Sequence, residues 1–374
     1  MGDDLNVLVV NETVTYRHLL SKIVSSTPNT ELVGVTSNGK TALSKIRLSQ
    51  PDLVLLDVAM PVMDAIEMLE RIKNDFPDIE VVMISGMSRK DADITVKALE
   101  AGALDFVPKP QDKSNQESMN ELTKTLTPIL QLAIARKHCR RIKDVTETIG
   151  KTFQQNISAL PTLTPVTQES KIPKKSPRLR RVDVVALGVS TGGPNALMTV
   201  IPRIARDFPV PILAVQHMPP MFITSLTKRL DMHSSIRVLE GKQGLQVEKG
   251  TMYIAPGGVH MVVRKGSPQT ITLGLVNSPP VNSCRPAVDV LFRSVGMVYG
   301  GNVLTVILTG MGKDGASGVA SIRKKGGYSI VQDESTSVIW GMPGEVAKAR
   351  DADEILSLEN IADRIAEIVK RGKN

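Results

Sequence analysis

Cysteine is nearly absent from this chain of 374 residues, which has two, Cys139 and Cys284. They lie far apart and lack the paired spacing of a metal site or a disulfide framework, so each reads as a reduced structural or surface thiol. Long apolar runs are missing as well: none approaches the roughly 18–20 residues that span a bilayer. Met1–Asp4 lead straight into a strand-like run, with no charged and then apolar leader. The expectation is a cytoplasmic protein with no direct membrane insertion.

What is present is ordinary globular composition, 41% hydrophobic and 22% charged, in a chain long enough for two or three domains. The net charge of +8 suggests a nucleic-acid partner until its distribution is followed. Between Arg136 and Arg181 twelve Lys or Arg face only Asp144, Glu147 and Glu169, so this stretch carries +9 and the rest about −1. The same stretch holds Pro161, Pro165, Pro173 and Pro177 among Thr, Gln and Ser, which is linker composition. It divides the chain in two. A DNA-binding output would put its charge on a recognition helix of a compact helical domain. Here the output region is strand-rich and near neutral, so no nucleic-acid partner is expected.

Before the linker, Leu5–Val10, Glu31–Thr36, Asp52–Val58, Glu80–Ser85 and Asp105–Val107 read as strands, each followed by a helical stretch. Five such units in about 120 residues predict a parallel sheet covered on both faces, with function at the carboxyl ends of its strands. Those ends hold Asn11-Glu12, Asp57, Ser85 and Lys109-Pro110. A carboxylate that can attack a phosphoryl group, acidic neighbours for a magnesium ion, and a lysine with a hydroxyl for the transferred group suit phosphoryl chemistry. The bland alternative is an Asp that caps a turn and a Lys that balances it. Leu55-Leu-Asp-Val-Ala-Met-Pro-Val-Met-Asp64, Ser85 and Phe106-Val-Pro-Lys-Pro110 resemble the response-regulator receiver domains. The resemblance implies that Asp57 is the phosphoacceptor, that Ser85 and Lys109 contact the phosphoryl group, and that Phe106 stands where an aromatic switch residue is usual. Magnesium would sit on Glu12 and Asp57, with Asn11 joining through water. Receivers usually carry two aspartates after the first strand, where Asn11-Glu12 stand here, and Ala65 replaces a common glycine.

After the linker, apolar runs recur at Val182–Leu187, Pro211–Val215, Thr251–Ile254 and Val303–Leu308. The first is followed by Gly188-x-Ser190-x-Gly192, a pattern of the turn that lifts a nucleophilic serine out of a strand, and also of a plain glycine-rich turn. The second is followed by His217 and the fourth by Asp314. In a parallel sheet all three project from one carboxyl edge. A serine hydroxyl needs an imidazole to take its proton, and the imidazole needs a carboxylate to fix its tautomer. Taken singly, His217 is an edge histidine and Asp314 a helix cap. The order Ser, His, Asp differs from that of α/β-hydrolases. His138 and His233 lie in polar surroundings, and His260 reads as structural. Glycines around Ser190 and after Asp314 could leave backbone N–H groups open to an oxyanion.

Gly188-Val-Ser-Thr-Gly-Gly193, Gln216-His-Met-Pro219, Ile254-Ala-Pro-Gly-Gly-Val-His260 and Leu308-Thr-Gly-Met-Gly-Lys-Asp-Gly315 resemble the chemotaxis protein-glutamate methylesterases. That family joins a receiver to a catalytic domain through a linker. The resemblance implies an α/β protein: a flavodoxin-like (βα)5 receiver at 1–125, a basic, Pro-containing linker at 126–180, and a doubly wound, mostly parallel catalytic domain at 181–374. Ser190 becomes the nucleophile, His217 the base and acid, Asp314 the orienting carboxylate, and Thr191 and Met311 their neighbours. The implied substrate is a glutamate γ-methyl ester on the cytoplasmic domain of a chemoreceptor, with deamidation of specific glutamines alongside. The implied regulator is a chemotaxis histidine kinase. The catalytic domain would need no cofactor, whereas the receiver would need magnesium. The alternative is a phosphorylation-regulated nucleotide-binding or DNA-binding output protein.

Overall fold

A computed structural model describes residues 4–60, 63–156, 181–266 and 270–371. Contacts divide the chain into two compact units, the first holding Met1–Ile84 and the stretch that begins at Lys109, the second holding Ser85–Pro108 and the stretch that ends at Asn374.

The β-branched runs near the N-terminus form a five-stranded sheet of β1 (Leu5–Val10), β2 (Thr30–Thr36), β3 (Leu53–Asp57), β4 (Glu80–Ser85) and β5 (Asp105–Pro108), ordered β2-β1-β3-β4-β5. Its central strands are buried on both faces, which is why β3 and β4 read as continuous apolar runs rather than alternating ones. The covering helices are α1 (Val14–Ser26), α2 (Gly39–Ser49), α3 (Ala65–Asp75), α4 (Arg89–Glu100) and α5 (Asn115–Asn156). Three start on side chains that accept an orphan N–H: Asn38 from Thr41, Asp64 from Ile66 and Ser88 from Asp91. Strands expected from sequence fall within two residues of those found.

The stretch expected as linker from residue 126 opens as helix. Helix α5 runs on to Asn156, and Leu122, Leu126, Ile129, Leu130 and Ala133 are buried at helical spacing. Part of the basic run serves this packing: Lys137 donates to Asp52 (2.7 Å), and Arg136 and Arg140 pair with Glu80. The proline-containing stretch from 157 to 180, and Pro61-Val62 of the receiver motif, lie outside the described residues.

In the second unit, β6 (Val184–Val189) leads into α6 (Gly193–Val200), β7 (Ile212–Gln216) into α7 (Pro220–His233), and β8 (Arg237–Glu240) lies beside β9 (Thr251–Ile254). An antiparallel hairpin follows, β10 (His260–Lys265) with β11 (Ile271–Val276), then α8 (Val288–Tyr299), β12 (Val303–Ile307), α9 (Ala316–Lys324), β13 (Tyr328–Gln332), α10 (Met342–Lys348), β14 (Glu354–Leu356) and α11 (Leu358–Arg371). The large sheet is parallel at every recorded pairing, in the order β14-β13-β12-β6-β7-β9-β8. Val184, Ala186, Leu213, Val215, Phe292 and Ile307 are among the side chains of its core. Strands β6, β7 and β12 are neighbours, so the residues just past their carboxyl ends meet at one edge.

Candidate active site

Ser190 follows β6 directly. Its N–H donates to Thr309 O (3.0 Å), and its carbonyl accepts from Gly193 N–H (2.8 Å) and Gln216 Nε2 (3.0 Å). The backbone is thus held between β7 and β12 while the side chain stays half-exposed. The flanking glycines have separate reasons. Gly192 adopts φ +75°, and an added Cβ would lie 2.5 Å from Val338. A Cβ on Gly188 would lie 2.5 Å from Val288 at the start of α8. That close approach lets α8 bring its N-terminus to the same edge.

His217 follows β7, with its N–H on Val189 O (3.2 Å). Its Nε2 meets Asp314 Oδ2 at 2.9 Å. Asp314, 2% exposed, is fixed by three further donors: Val288 N–H on Oδ2 (2.6 Å), and Asn282 Nδ2 (2.9 Å) and Asp289 N–H (3.1 Å) on Oδ1. The carboxylate therefore caps α8 and orients the imidazole at once. Burial works to raise its pKa, but the His217 contact with the Asn282 and Val288 bonds outweighs this and holds it below the usual range. Burial also works to lower the pKa of His217, but the bonds to Asp314 and Cys284, with their electrostatic pull, push it up to about 9. Asp289 caps α9 through Gly318 N–H (2.7 Å) and shares Asn282 with Asp314.

One expected link is replaced by another. Among the described residues no hydrogen bond joins the Ser190 hydroxyl to the imidazole; the second ring nitrogen, Nδ1, lies 3.6 Å from Cys284 Sγ. A thiol read from sequence as chemically silent thus touches His217. It arrives on a tight turn in which Val281 and Cys284 pair their backbones and Asn282 and Ser283 take φ 52° and 63°. Asn282, Cys284 and Asp289 were missed because the string Asn282-Ser-Cys284 carries no motif; only the returning turn places it at the edge. His260 is the structural residue expected: buried, donating from Nε2 to Pro279 O (3.1 Å) and accepting Ala287 N–H on Nδ1 (3.1 Å), it braces the segment that bears this turn.

Thr191 lends its carbonyl to Thr309 Oγ1 (3.0 Å), and Met311 is 42% exposed beside the edge. Among the described residues the N–H groups of Thr191 and Met311 have no acceptor. Also in the second unit, burial pushes the carboxyl of Asp105 up to about 7 against the opposing bond from Phe106 N–H. Phe106 stacks on Phe222 with centroids 4.4 Å apart.

In the first unit Asp57 ends β3, 1% exposed. Its Oδ1 accepts from Lys109 Nζ (2.6 Å) and Ala59 N–H (3.2 Å), and its Oδ2 from Glu12 N–H (3.4 Å). Burial raises its pKa, and Lys109 with the two N–H groups offsets this only in part. Asn11 is buried with Oδ1 on Thr13 N–H (3.0 Å) and Nδ2 without a partner. Glu12 is exposed. The Ser85 hydroxyl is engaged by Thr95 Oγ1 (2.7 Å) and Gly86 O (3.1 Å).

Comparison with known proteins follows the same division. Residues 185–365 match the family described as CheB methylesterase, and residues 7–120 the response regulator receiver domain. A protein-glutamate methylesterase/protein-glutamine glutaminase of Desulfotalea psychrophila is 42% identical over 98% of this chain and 99% of its own length. The chain belongs to this methylesterase/glutaminase family. A member from Trichodesmium erythraeum is 40% identical over 96% of this chain and 97% of its own. The crystal structure of the Thermotoga maritima CheB methylesterase catalytic domain, 39% identical, covers 50% of this chain and 99% of that one with a TM-score of 0.49. Among the described residues of this family member, no helix is long and apolar enough to cross a membrane.

Proposed function

We propose that the chain hydrolyses glutamate γ-methyl esters on the cytoplasmic helices of a chemoreceptor and deamidates glutamines there, with Ser190 as nucleophile, His217 as base and acid, and Asp314 as orienter. We assign residues 1–125 to the receiver, 126–180 to the linker and 181–374 to the catalytic domain. The observation that carries the reading is the buried Asp314–His217 pair at 2.9 Å on the edge that also bears Ser190.

Asp314 can only accept, so the proton of the neutral imidazole sits on Nε2 and the lone pair on Nδ1. Ser190 Oγ attacks the ester carbonyl and loses its proton to Nδ1; catalytic hydrogen bonds of this kind often close only with substrate bound. The negative oxygen of the tetrahedral intermediate is met by the open N–H groups of Thr191 and Met311. His217 then protonates the departing methoxide, and methanol leaves. Water, deprotonated by the same nitrogen, frees the glutamate. With a glutamine side chain the sequence is identical and ammonia leaves.

The receiver would turn this activity on when a chemotaxis histidine kinase supplies a phosphoryl group to Asp57, with Lys109 and Ser85 as contacts. Magnesium fits the donors at Asp57: its carboxylate and that of Glu12 offer hard oxygens, and the unpartnered Nδ2 of Asn11 suits a water on the ion rather than the ion itself. When bound, the ion neutralises charge on the phosphoryl oxygens. Phe106, stacked on Phe222 of α7, supports a route from β5 to the helix that follows His217.

The test is methanol release from a methylated receptor cytoplasmic fragment by wild type and Ser190→Ala, with and without magnesium and a small-molecule phosphodonor. Release only by wild type, faster with phosphodonor, is expected. Release by both proteins alike would overturn the assignment of the nucleophile, and release indifferent to phosphodonor would overturn the switch.

A further inference from the structure

The esterase reading leaves one polar group at the edge without a task, the thiol of Cys284. Its sulfur lies 3.6 Å from His217 Nδ1, the imidazole's other nitrogen is held by Asp314, and the three ligating atoms lie within 4.8 Å of one another. A cluster of thiol, imidazole and carboxylate can hold a metal or can activate the sulfur. Here the carboxylate decides between them. Both oxygens of Asp314 are taken, Oδ2 by Val288 N–H and the imidazole, Oδ1 by Asn282 and Asp289 N–H, so no lone pair is left facing a cation. What remains is a sulfur on a base whose tautomer is fixed from behind, the arrangement of a nucleophile, its base and its orienter.

We propose that Cys284 is a modification site for peroxides, and that its oxidation reversibly silences the active site by occupying His217 Nδ1. The proposal rests on the reading of His217 as the base of Ser190. Cys284 is half-buried, open to a small oxidant and held in place by the Val281–Cys284 turn and the His260 brace. In the step itself the sulfur attacks one peroxide oxygen. The S–O bond forms as the O–O bond breaks. The thiol proton passes through Nδ1 to the leaving hydroxide, which departs as water. Sulfur loses two electrons, the peroxide gains them, and the product is a sulfenic acid. Its hydroxyl then lies against the nitrogen that must receive the Ser190 proton. A thiol reductant restores the sulfur by way of a mixed disulfide. The chain's other cysteine, Cys139, is exposed; His138 precedes it, but among the described residues no hydrogen bond joins an imidazole to its sulfur, so it serves as an internal control.

The experiment exposes the full chain to graded hydrogen peroxide as wild type, Cys139→Ser, Cys284→Ser and Cys284→Ala. Sulfenic acid is trapped with dimedone and located by peptide mass spectrometry, and methanol release is scaled to each variant's own untreated rate. The expected result is trapping at Cys284 at lower doses than at Cys139. Methanol release by Cys139→Ser should fall by at least about tenfold and return with dithiothreitol, while both Cys284 variants hold their own rates within about twofold. Trapping at Cys139 with none at Cys284 would overturn the proposal, as would equal inactivation of the Cys284 variants. If untreated wild type releases no methanol, the esterase reading fails, and the silencing with it; trapping, which needs no esterase, still decides whether Cys284 is the reactive thiol.

Discussion

Asp314 binds His217 Nε2 and the backbone N–H of Val288 through the same carboxylate oxygen, at 2.9 and 2.6 Å. One buried charge therefore starts helix α8 and sets the tautomer of the imidazole, which couples the stability of that helix to the chemistry of the edge. Asp314→Asn keeps the shape and can still accept one bond, but its amide can also donate to the imidazole and stabilise the wrong tautomer. Methanol release should fall by about 10³–10⁴-fold. The thermal midpoint should fall as well, because the lost charge no longer caps α8. A variant that melts lower yet keeps wild-type turnover would leave Asp314 as a cap alone.

The pH dependence follows from His217. With its pKa pushed up to about 9, the imidazole is mostly charged at neutral pH and cannot accept the serine proton. The base form accumulates as pH rises toward 9, so kcat/KM should climb through that range. Cys284→Ser replaces the thiol whose bond and electrostatic pull help raise the value, so the limb should move to lower pH. The stability effect has the opposite sense. A histidine raised above its unfolded value of about 6.5 stabilises the fold fully below that pH and loses the contribution as pH rises toward 9. A rate already flat from pH 7 upward would contradict the assignment.

The elbow gives a backbone prediction. Gly192→Ala would place a side chain at φ +75° and bring its Cβ to 2.5 Å from Val338. The strain should cost about 1–3 kcal/mol by denaturant titration, and a displaced Ser190 should lower kcat by about 10²-fold. Full activity at reduced stability would show that the turn tolerates movement without displacing the nucleophile.

Much of this edge was legible in the sequence because its residues follow apolar strands directly. Ser190 and His217 directly follow β6 and β7, Asp314 stands in the glycine-rich turn between β12 and α9, and a parallel sheet brings adjacent strand ends together whatever lies between them. Asn282, Cys284 and Asp289 reach the same place by a different route, a turn after β11 that folds back against α8. No periodicity reports such a return, because it depends on the hairpin, on His260 and on the close approach allowed by Gly188. The packed, helical start of the linker stretch went unread for a related reason. Lys137, Arg136 and Arg140 look like solvated charge in the sequence, and their acidic partners Asp52 and Glu80 lie more than fifty positions away. Strands β13 and β14 were passed over because one carries Ser and Gln inside the core, and the other is three residues long.

Asn11 gives the sharpest test of the receiver. It is buried beside the Asp57 site with its Oδ1 on Thr13 N–H and its Nδ2 without a partner, in a place where a carboxylate would add charge toward a cation. Asn11→Asp would keep an acceptor for Thr13 and turn the unpartnered donor into a hard oxygen. Without a cation that oxygen would be an unpaired buried charge close to Asp57, so the variant should melt below wild type in a chelator. With magnesium the order should reverse, since the added ligand charge strengthens binding and binding to the native state alone stabilises it. Titration calorimetry should show magnesium affinity up by about tenfold, and activation of methanol release by phosphodonor should reach half its maximum at lower magnesium. Asp57→Asn in the same background should abolish that activation while leaving unstimulated release in place. Equal magnesium affinity in Asn11→Asp and wild type would mean that the ion, if it binds, does so without this position, and Glu12 with Asp57 would carry it alone.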